Sequence, residues 1–233
     1  MKEKIVILIP AYNEEKNIQK VIKNCLPFKT DLVIINDGST DKTLEKINSF
    51  KNKVIILSHH KNQGKGKALQ TGFDYALKNN YKGVITIDGD DQHETKEIAY
   101  FLREIKKNNA DLIIGSRFHN KKDMPFIRLA TNLSTSWIIS KIVGRRIEDV
   151  QSGFRYLSKK AIKNIKLETN SFDTEPEIAL KAGLLNYKIK NIPIKTIYHD
   201  EAESQINDFF DTIKFFRLVF RGLLWKIGLK TIS

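Results

Sequence analysis

A short apolar run, Val84-Ile-Thr-Ile87, stops abruptly at Asp88-Gly-Asp-Asp-Gln-His93. β-Branched residues throughout the run predict a buried strand. Asp88, Asp90 and Asp91 then stand at its C-terminal end. In an open α/β sheet, ligands collect in the crevice outside the carboxyl ends of the strands. Gly89 lets the backbone turn tightly, so that Asp88 and Asp90 can aim at one centre. Two hard oxygen ligands with positions left for water or phosphate suit Mg²⁺ or Mn²⁺. A cation held there would neutralise charge growing on a departing diphosphate. An acidic turn that only caps the next helix is the alternative reading of these residues.

Other segments offer weaker chemistry. Gly64-Lys-Gly-Lys67 resembles part of a phosphate loop but fails the full GxxxxGK[ST] pattern, because Ala68 follows Lys67. Gly66 and Lys67 can still hold an anion through backbone N–H groups at a helix start. His59 and His60 are adjacent and cannot share one strand face, so they read as surface histidines. Glu175 and Glu177 open a helix, where a carboxylate could act as a general base or simply answer the helix dipole.

The elements that must position these residues alternate. Residues 4–10 (KIVILIP), 31–36 (DLVIIN), 53–58, 84–87 and 112–115 predict strands. Between them lie helical patterns: one capped by Asn13, one capped by Ser39, one over 68–77 and one carrying Ile98, Phe101, Leu102 and Ile105. This rhythm predicts a mostly parallel, doubly wound sheet flanked by helices. Later come a helix over 128–143, a helical stretch at 172–182, a strand at 189–198 and an amphipathic helix over 209–228. We expect residues 1–117 to form the first half of one domain, 118–206 a subdomain folded onto the sheet, and 207–233 the C-terminal helix.

Lys and Arg number 40 against 27 acidic residues, a net charge of +13 that implies an anionic partner. A single cysteine, Cys25, excludes an internal disulfide and a cysteine-based zinc site. The short apolar run at residues 5–9 runs directly into Pro10, so no signal peptide is expected, and no stretch reaches eighteen successive apolar residues. The expected location is cytoplasmic. No nucleic-acid recognition motif accompanies the basic charge, so nucleic acid is not an expected partner.

PAYNEE (10–15), NDGSTD (36–41), NQGKGKAL (62–69), DGDDQH (88–93), GSR (115–117) and SGFR (152–155) occur in this order. Together they resemble a family 2 glycosyltransferase of the GT-A type, close to the polyprenyl-phosphate (dolichol-phosphate) mannose or glucose synthases. The resemblance implies a Rossmann-like GT-A fold with residues 1–117 as a nucleotide-sugar-binding half and 118–206 as a C-terminal acceptor-binding half, an inverting hexose transfer and a divalent metal. It implies a GDP- or UDP-hexose donor and a polyprenyl phosphate acceptor. By the same resemblance Pro10, Tyr12 and Glu14 would line the nucleotide pocket and Asp37 would contact base or ribose. Asp88 and Asp90 match the metal motif, and Gln92 stands beside the metal. Arg117, Arg128, Ser152 and Arg155 would grip the acceptor phosphate, for which a guanidinium fork is well shaped. A family 2 enzyme acting on a hydroxyl acceptor is the rival; a nucleotidyltransferase would need a glycine- and arginine-rich loop after the first strand, and PAYNEE is not one.

Ile213, Phe216, Phe220, Leu223 and Ile227 recur at spacings of three and four. Lys214, Arg217 and Arg221 share another face, with Lys226 and Lys230 beyond. The combination predicts a helix lying in a membrane interface, peripheral on the inner face of the cell membrane. Packing on the rest of the chain or on a second copy is the alternative.

Overall fold

The computed structural model describes residues 4–119, 124, 126–171, 173–195, 208–228 and 232. Strand β1 (Ile5–Ala11) is flanked by β2 (Asp31–Asn36) and β4 (Gly83–Thr86), both parallel to it. With β3 (Ile55–Ser58), β5 (Leu112–Ser116), β6 (Arg155–Ser158) and β7 (Ile189–Pro193) they form one sheet, in the order β3-β2-β1-β4-β6-β5-β7. Continuous apolar sequence is what a strand covered on both faces requires. Along β1, Val6 and Leu8 enter one core while Ile7 and Ile9 enter the other.

Helices cover both faces. On one side lie α1 (Ile18–Cys25), α2 (Thr43–Asn48) and α4 (Ile98–Lys106), contributing Ile22, Ile47 and Phe101 to the core. On the other lie α3 (Lys65–Lys78), α5 (Phe126–Val143), α6 (Lys159–Asn164), α7 (Thr174–Leu184) and α8 (Asp208–Lys226). Helix α7 is buried along nearly its whole length, and the charges it carries into that layer are paired, Glu175 with Lys65 and Glu177 with Lys181.

The structure departs from the sequence reading at several points. Strand β6 runs antiparallel to both neighbours, β4 and β5, and neither it nor α6 was expected. The second half therefore supplies strands to the sheet itself instead of only covering it. Asn13 caps no helix: its φ is +54° and its side-chain oxygen accepts from the Thr40 N–H, while α1 begins at Ile18. Ser39 accepts from the Asn13 N–H, and Asp41 accepts from Thr43 N–H at the start of α2. Helix α3 begins at Lys65, three residues before the expected start. Strand β7 ends at Pro193, and residues 196–198 of the expected strand lie outside the described residues. His59 is not a surface histidine, because its ring is bonded to Asp37 Oδ1 at 2.6 Å and Thr71 Oγ1 at 2.9 Å.

Helix α8 packs through Leu218, Gly222 and Trp225, all buried, and turns Ile213, Phe216, Phe220, Leu223 and Ile227 outward. Its cations are not a simple outward strip. Arg221 Nη1 bonds Glu168 Oε2 at 3.0 Å and Lys214 Nζ bonds Ser171 Oγ at 3.3 Å. Lys230 lies outside the described residues.

Candidate active site

Strands β1 and β4 are parallel neighbours, so the loops after them leave the sheet at one edge. The Asp88-Gly-Asp90 turn and the PAYNEE loop consequently touch: a Cβ placed on Gly89 would lie 3.4 Å from both Glu14 Cγ and the Pro10 carbonyl. Three carboxylates, those of Glu14, Asp88 and Asp90, thus share one crevice. Burial, reinforced by the charge of Asp90, pushes the Glu14 carboxyl up to about 7. Burial and then Asp88 likewise raise the Asp90 carboxyl above the ordinary carboxylate range. Asp90 Oδ1 accepts from the Gln92 N–H at 3.0 Å, which fixes the turn.

Asp88 has the opposite fate. Burial opposes its charge, but the ammonium of Lys65 and the ring of His93 prevail and hold its carboxyl far below the usual range. Lys65 Nζ lies 2.6 Å from Asp88 Oδ1 and 2.6 Å from Glu175 Oε1. His93 Nε2 lies 3.3 Å from Asp88 Oδ2. Burial works against the Lys65 charge too, yet the two carboxylates outweigh it and raise its pKa well above that of a free lysine. Lys65 is therefore a permanent cation set between two anions.

A divalent cation fits this crevice. The donors are hard oxygens, and Glu14 and Asp90 carry raised pKa values that a bound cation would relieve. Among the described residues no set of three or more His, Cys, Asp or Glu side chains forms a ready-made cage. Two carboxylates, with the rest of the shell from water and substrate phosphate, is the pattern by which Mg²⁺ is commonly held.

Of the three arginines expected at an acceptor phosphate, Arg117 and Arg155 bond oxygens of the protein itself. Arg155 is 1% exposed, and its guanidinium donates at 2.6 Å to each of three backbone carbonyls, those of Val150, Ser152 and Glu175. Arg117 donates through Nε and Nη2 to Asp149 at 2.7 and 2.8 Å, a bidentate pair whose Asp149 side chain is fully buried. Burial opposes the Asp149 charge, and Arg117 overcomes this to hold its carboxyl below the usual range. Both arginines tie the 149–155 segment in place against Asp88. Ser152 is buried, and Gly153 packs so closely that a Cβ there would lie 2.2 Å from Asp88 Oδ2. Arg128 opens α5 half-buried, and no hydrogen bond joins it to this cluster among the described residues.

Asp37 is 2% exposed and accepts from His59 Nδ1, Gln63 N–H and Gly64 N–H at 2.6, 3.0 and 2.8 Å. It anchors the start of α3 to the end of β2. Tyr12 and Pro10 lie half-buried at the crevice edge, and Lys67 is exposed. Gly66 is packed, not open: a Cβ on it would lie 1.9 Å from the Thr169 carbonyl. Gly66→Ala is expected to push residues 169–170 away and to lower stability by about 1–3 kcal/mol, the usual cost of overpacking, as read by urea denaturation. An unchanged midpoint would show that the segment yields freely.

Sequence reasoning missed Lys65 and His93 as partners of Asp88, and Glu175 as the second partner of Lys65. The signal was present in GKGK, but an expected helix start at 68 left Lys65 and Lys67 equivalent. With α3 beginning at Lys65, the two side chains point 200° apart around the helix, by about 100° per residue.

A mostly parallel sheet of this order, with a carboxylate cluster at its strand ends, defines a GT-A glycosyltransferase fold. Glucosyl-3-phosphoglycerate synthase from Mycobacterium tuberculosis, solved with Mn²⁺, UDP and glucosyl-3-phosphoglycerate, superposes with a TM-score of 0.72 at 17% identity, covering 97% of this chain and 81% of its own. Residues 6–171 match the family described as "Glycosyl transferase family 2". UDP-N-acetylglucosamine–dolichyl-phosphate N-acetylglucosaminyltransferase of Methanococcus voltae is 32% identical over 98% of each chain. Dolichyl-phosphate β-glucosyltransferase ALG5A of Trichomonas vaginalis is 29% identical, over 86% of this chain and 68% of its own. The chain belongs to glycosyl transferase family 2, and it is a glycosyltransferase.

Proposed function

We propose that this chain moves a hexose from a nucleotide-diphosphate sugar to a polyprenyl phosphate at a membrane surface, with inversion, using Mg²⁺ or Mn²⁺ held by Asp88 and Asp90. The observation that carries the reading is the permanent cation Lys65 set among carboxylates at the strand ends, 2.6 Å from both Asp88 and Glu175. A divalent cation bound there supplies Lewis-acid stabilisation of the departing nucleoside diphosphate. Pro10, Tyr12 and Glu14 would line the nucleotide side of the crevice, with Gln92 beside the cation site. Lys65 adds a fixed positive charge that needs no reorganisation as negative charge grows.

An ionised phosphate is already a nucleophile at neutral pH, so its attack requires no general base. The acids on α7 accord with that. Glu177 is fully buried and accepts from the N–H groups of Glu168 and Thr169, while Glu175 holds Lys65. The two relatives differ in sugar, N-acetylglucosamine in one and glucose in the other, but both are named for dolichyl phosphate. This supports a lipid phosphate acceptor and leaves the sugar open.

No helix among the described residues is long and apolar enough to cross a membrane. Two exposed apolar faces support a peripheral site on the bilayer. One is the outward row of α8, with Phe220 63% and Ile227 66% exposed. The other is α5, where Phe126, Ile127 and Trp137 are 82%, 78% and 63% exposed and no acidic residue occurs. Beside Trp137 a cavity of about 610 Å³ has an apolar lining that includes Phe118 and Ile147 and a rim carrying Lys141 and Arg146. We place the chain on the cytoplasmic side, in keeping with its lone buried thiol, Cys25.

The test is transfer by the purified chain from a panel of UDP- and GDP-hexoses with Mn²⁺, offered polyprenyl phosphate or hydroxyl-bearing saccharides. A lipid-linked hexose, formed only with the phosphate acceptor and lost in EDTA, is expected. Transfer to saccharide hydroxyls alone would favour the rival, with Glu175 as base.

A further inference from the structure

Helix α8 touches the crevice through one short segment. Arg221 Nη1 lies 3.0 Å from Glu168 Oε2, and Lys214 Nζ reaches Ser171 Oγ at 3.3 Å. The other Glu168 oxygen accepts from Lys181 Nζ at 3.0 Å, and that ammonium sits 4.8 Å from the centre of the Trp225 ring. Glu177 holds the same segment from beneath, accepting from the Glu168 and Thr169 N–H groups and from Thr169 Oγ1 at 2.7 Å. The far side of the segment presses on the first turn of α3. A Cβ on Gly66 would meet the Thr169 carbonyl at 1.9 Å, and one on Gly64 would meet the Asn170 carbonyl at 2.1 Å. Lys65 lies between those two glycines. Every step from Arg221 to Asp88 is thus a direct contact or adjacent backbone.

We propose that residues 166–171 are a strut by which contacts made by α8 set the position of Lys65, with Arg221 and Glu168 as its positioning residues. The proposal rests on the reading of α8 as the membrane-facing helix. Arg221 is 20% exposed, and successive 100° steps place it on the flank between the buried and outward faces. Anionic head groups meeting the outward row compete with Glu168 for Arg221 and with Ser171 for Lys214. Releasing Glu168 slackens the strut against Gly64 and Gly66, and Lys65 loses its fixed seat between Asp88 and Glu175. Lipid contact and the donor crevice are then coupled, and the coupling acts equally in both directions.

Hydrogen exchange at the amides of residues 64–70 and affinity for UDP with Mn²⁺ read the coupling in the full chain. Arg221→Ala is expected to speed exchange there and weaken UDP binding about fivefold, the lower end of ordinary coupling. Arg221→Lys keeps a cation facing Glu168 and is expected to hold both near the wild type, while Arg221→Met, which keeps the packing and drops the charge, is expected to behave like Arg221→Ala. Phosphatidylglycerol vesicles should speed the same exchange in the wild type, have little effect on Arg221→Ala, and give way to no response with phosphatidylcholine. Wild-type exchange and UDP affinity in Arg221→Ala overturn the strut. A wild type that pellets with phosphatidylglycerol but shows no change at 64–70 overturns its link to lipid. If the wild type binds neither UDP nor GDP, the proposed function falls, while exchange in Arg221→Ala and Arg221→Lys still decides the strut.

Discussion

Asp90→Asn is expected to lower the proposed divalent-dependent transfer by about a thousandfold while raising the melting temperature of the metal-free protein. The two effects have one cause. Asp90 is buried beside Asp88, and its carboxyl is raised above the ordinary range first by burial and then by that neighbour. An acid whose folded pKa is raised is less comfortable ionised in the folded state than in the unfolded chain. At neutral pH its charge therefore subtracts from stability, and the deficit fades as pH falls through the raised pKa. Asparagine keeps the Oδ1 acceptor for the Gln92 N–H and discards the charge. Transfer suffers because a cation contributes several kcal/mol of transition-state stabilisation, or about three decades in rate. The check is a pair of melting curves at pH 7. In EDTA the variant should melt higher than the wild type, and in excess Mn²⁺ the order should reverse, because only the wild type gains binding free energy. Equal Mn²⁺ stabilisation of both proteins would remove Asp90 from the metal site.

What the sequence made legible follows from locality. β1, β2 and β4 are continuous apolar runs, and nothing outside those runs is needed to recognise them. The apolar row of α8 and the acidic turn at 88–91 are equally local. What escaped depends on distant partners. β6 is four residues long, RYLS, and becomes a strand only because β4 and β5 leave a gap between them. His59 looks like half of an exposed pair until Asp37, 22 residues earlier, takes its Nδ1. Arg117 and Arg155 were read as guanidinium forks that grip an acceptor phosphate. The oxygens they hold belong to Asp149, 32 residues from Arg117, and to carbonyls that include Glu175, 20 residues from Arg155. The residue types announced the kind of bond but not its partner.

Arg155 gives the second large effect, and it is one of folding. Its guanidinium is fully buried, and three carbonyls from three positions converge on it at 2.6 Å. Burial drives its pKa down to about 10, with Glu175 and Asp149 pulling the other way, so it stays charged at neutral pH. Alanine would strip the buried Val150 and Ser152 carbonyls of their donor, each at about 1–3 kcal/mol, remove a second bond from the Glu175 carbonyl and leave a cavity as well. The sum, about 5 kcal/mol or more, rivals the whole stability of a typical domain, about 5–15 kcal/mol. Arg155→Ala should therefore be recovered only as unfolded or aggregated chain. Lysine keeps the charge but cannot present a planar fork to three carbonyls. Arg155→Lys is expected to fold, with a loss of about 2–5 kcal/mol in urea denaturation, and to bind UDP with Mn²⁺ more weakly because the 150–155 segment that backs Asp88 is slack. A side chain that gripped the acceptor phosphate would behave differently. Its lysine variant would melt like the wild type, bind nucleotide unchanged and fail only in transfer to polyprenyl phosphate. The melting temperature of Arg155→Lys separates the two roles before any substrate is added: a value equal to wild type would return Arg155 to the acceptor site, and a fall of many degrees fixes it as the residue that ties the loop beneath Asp88.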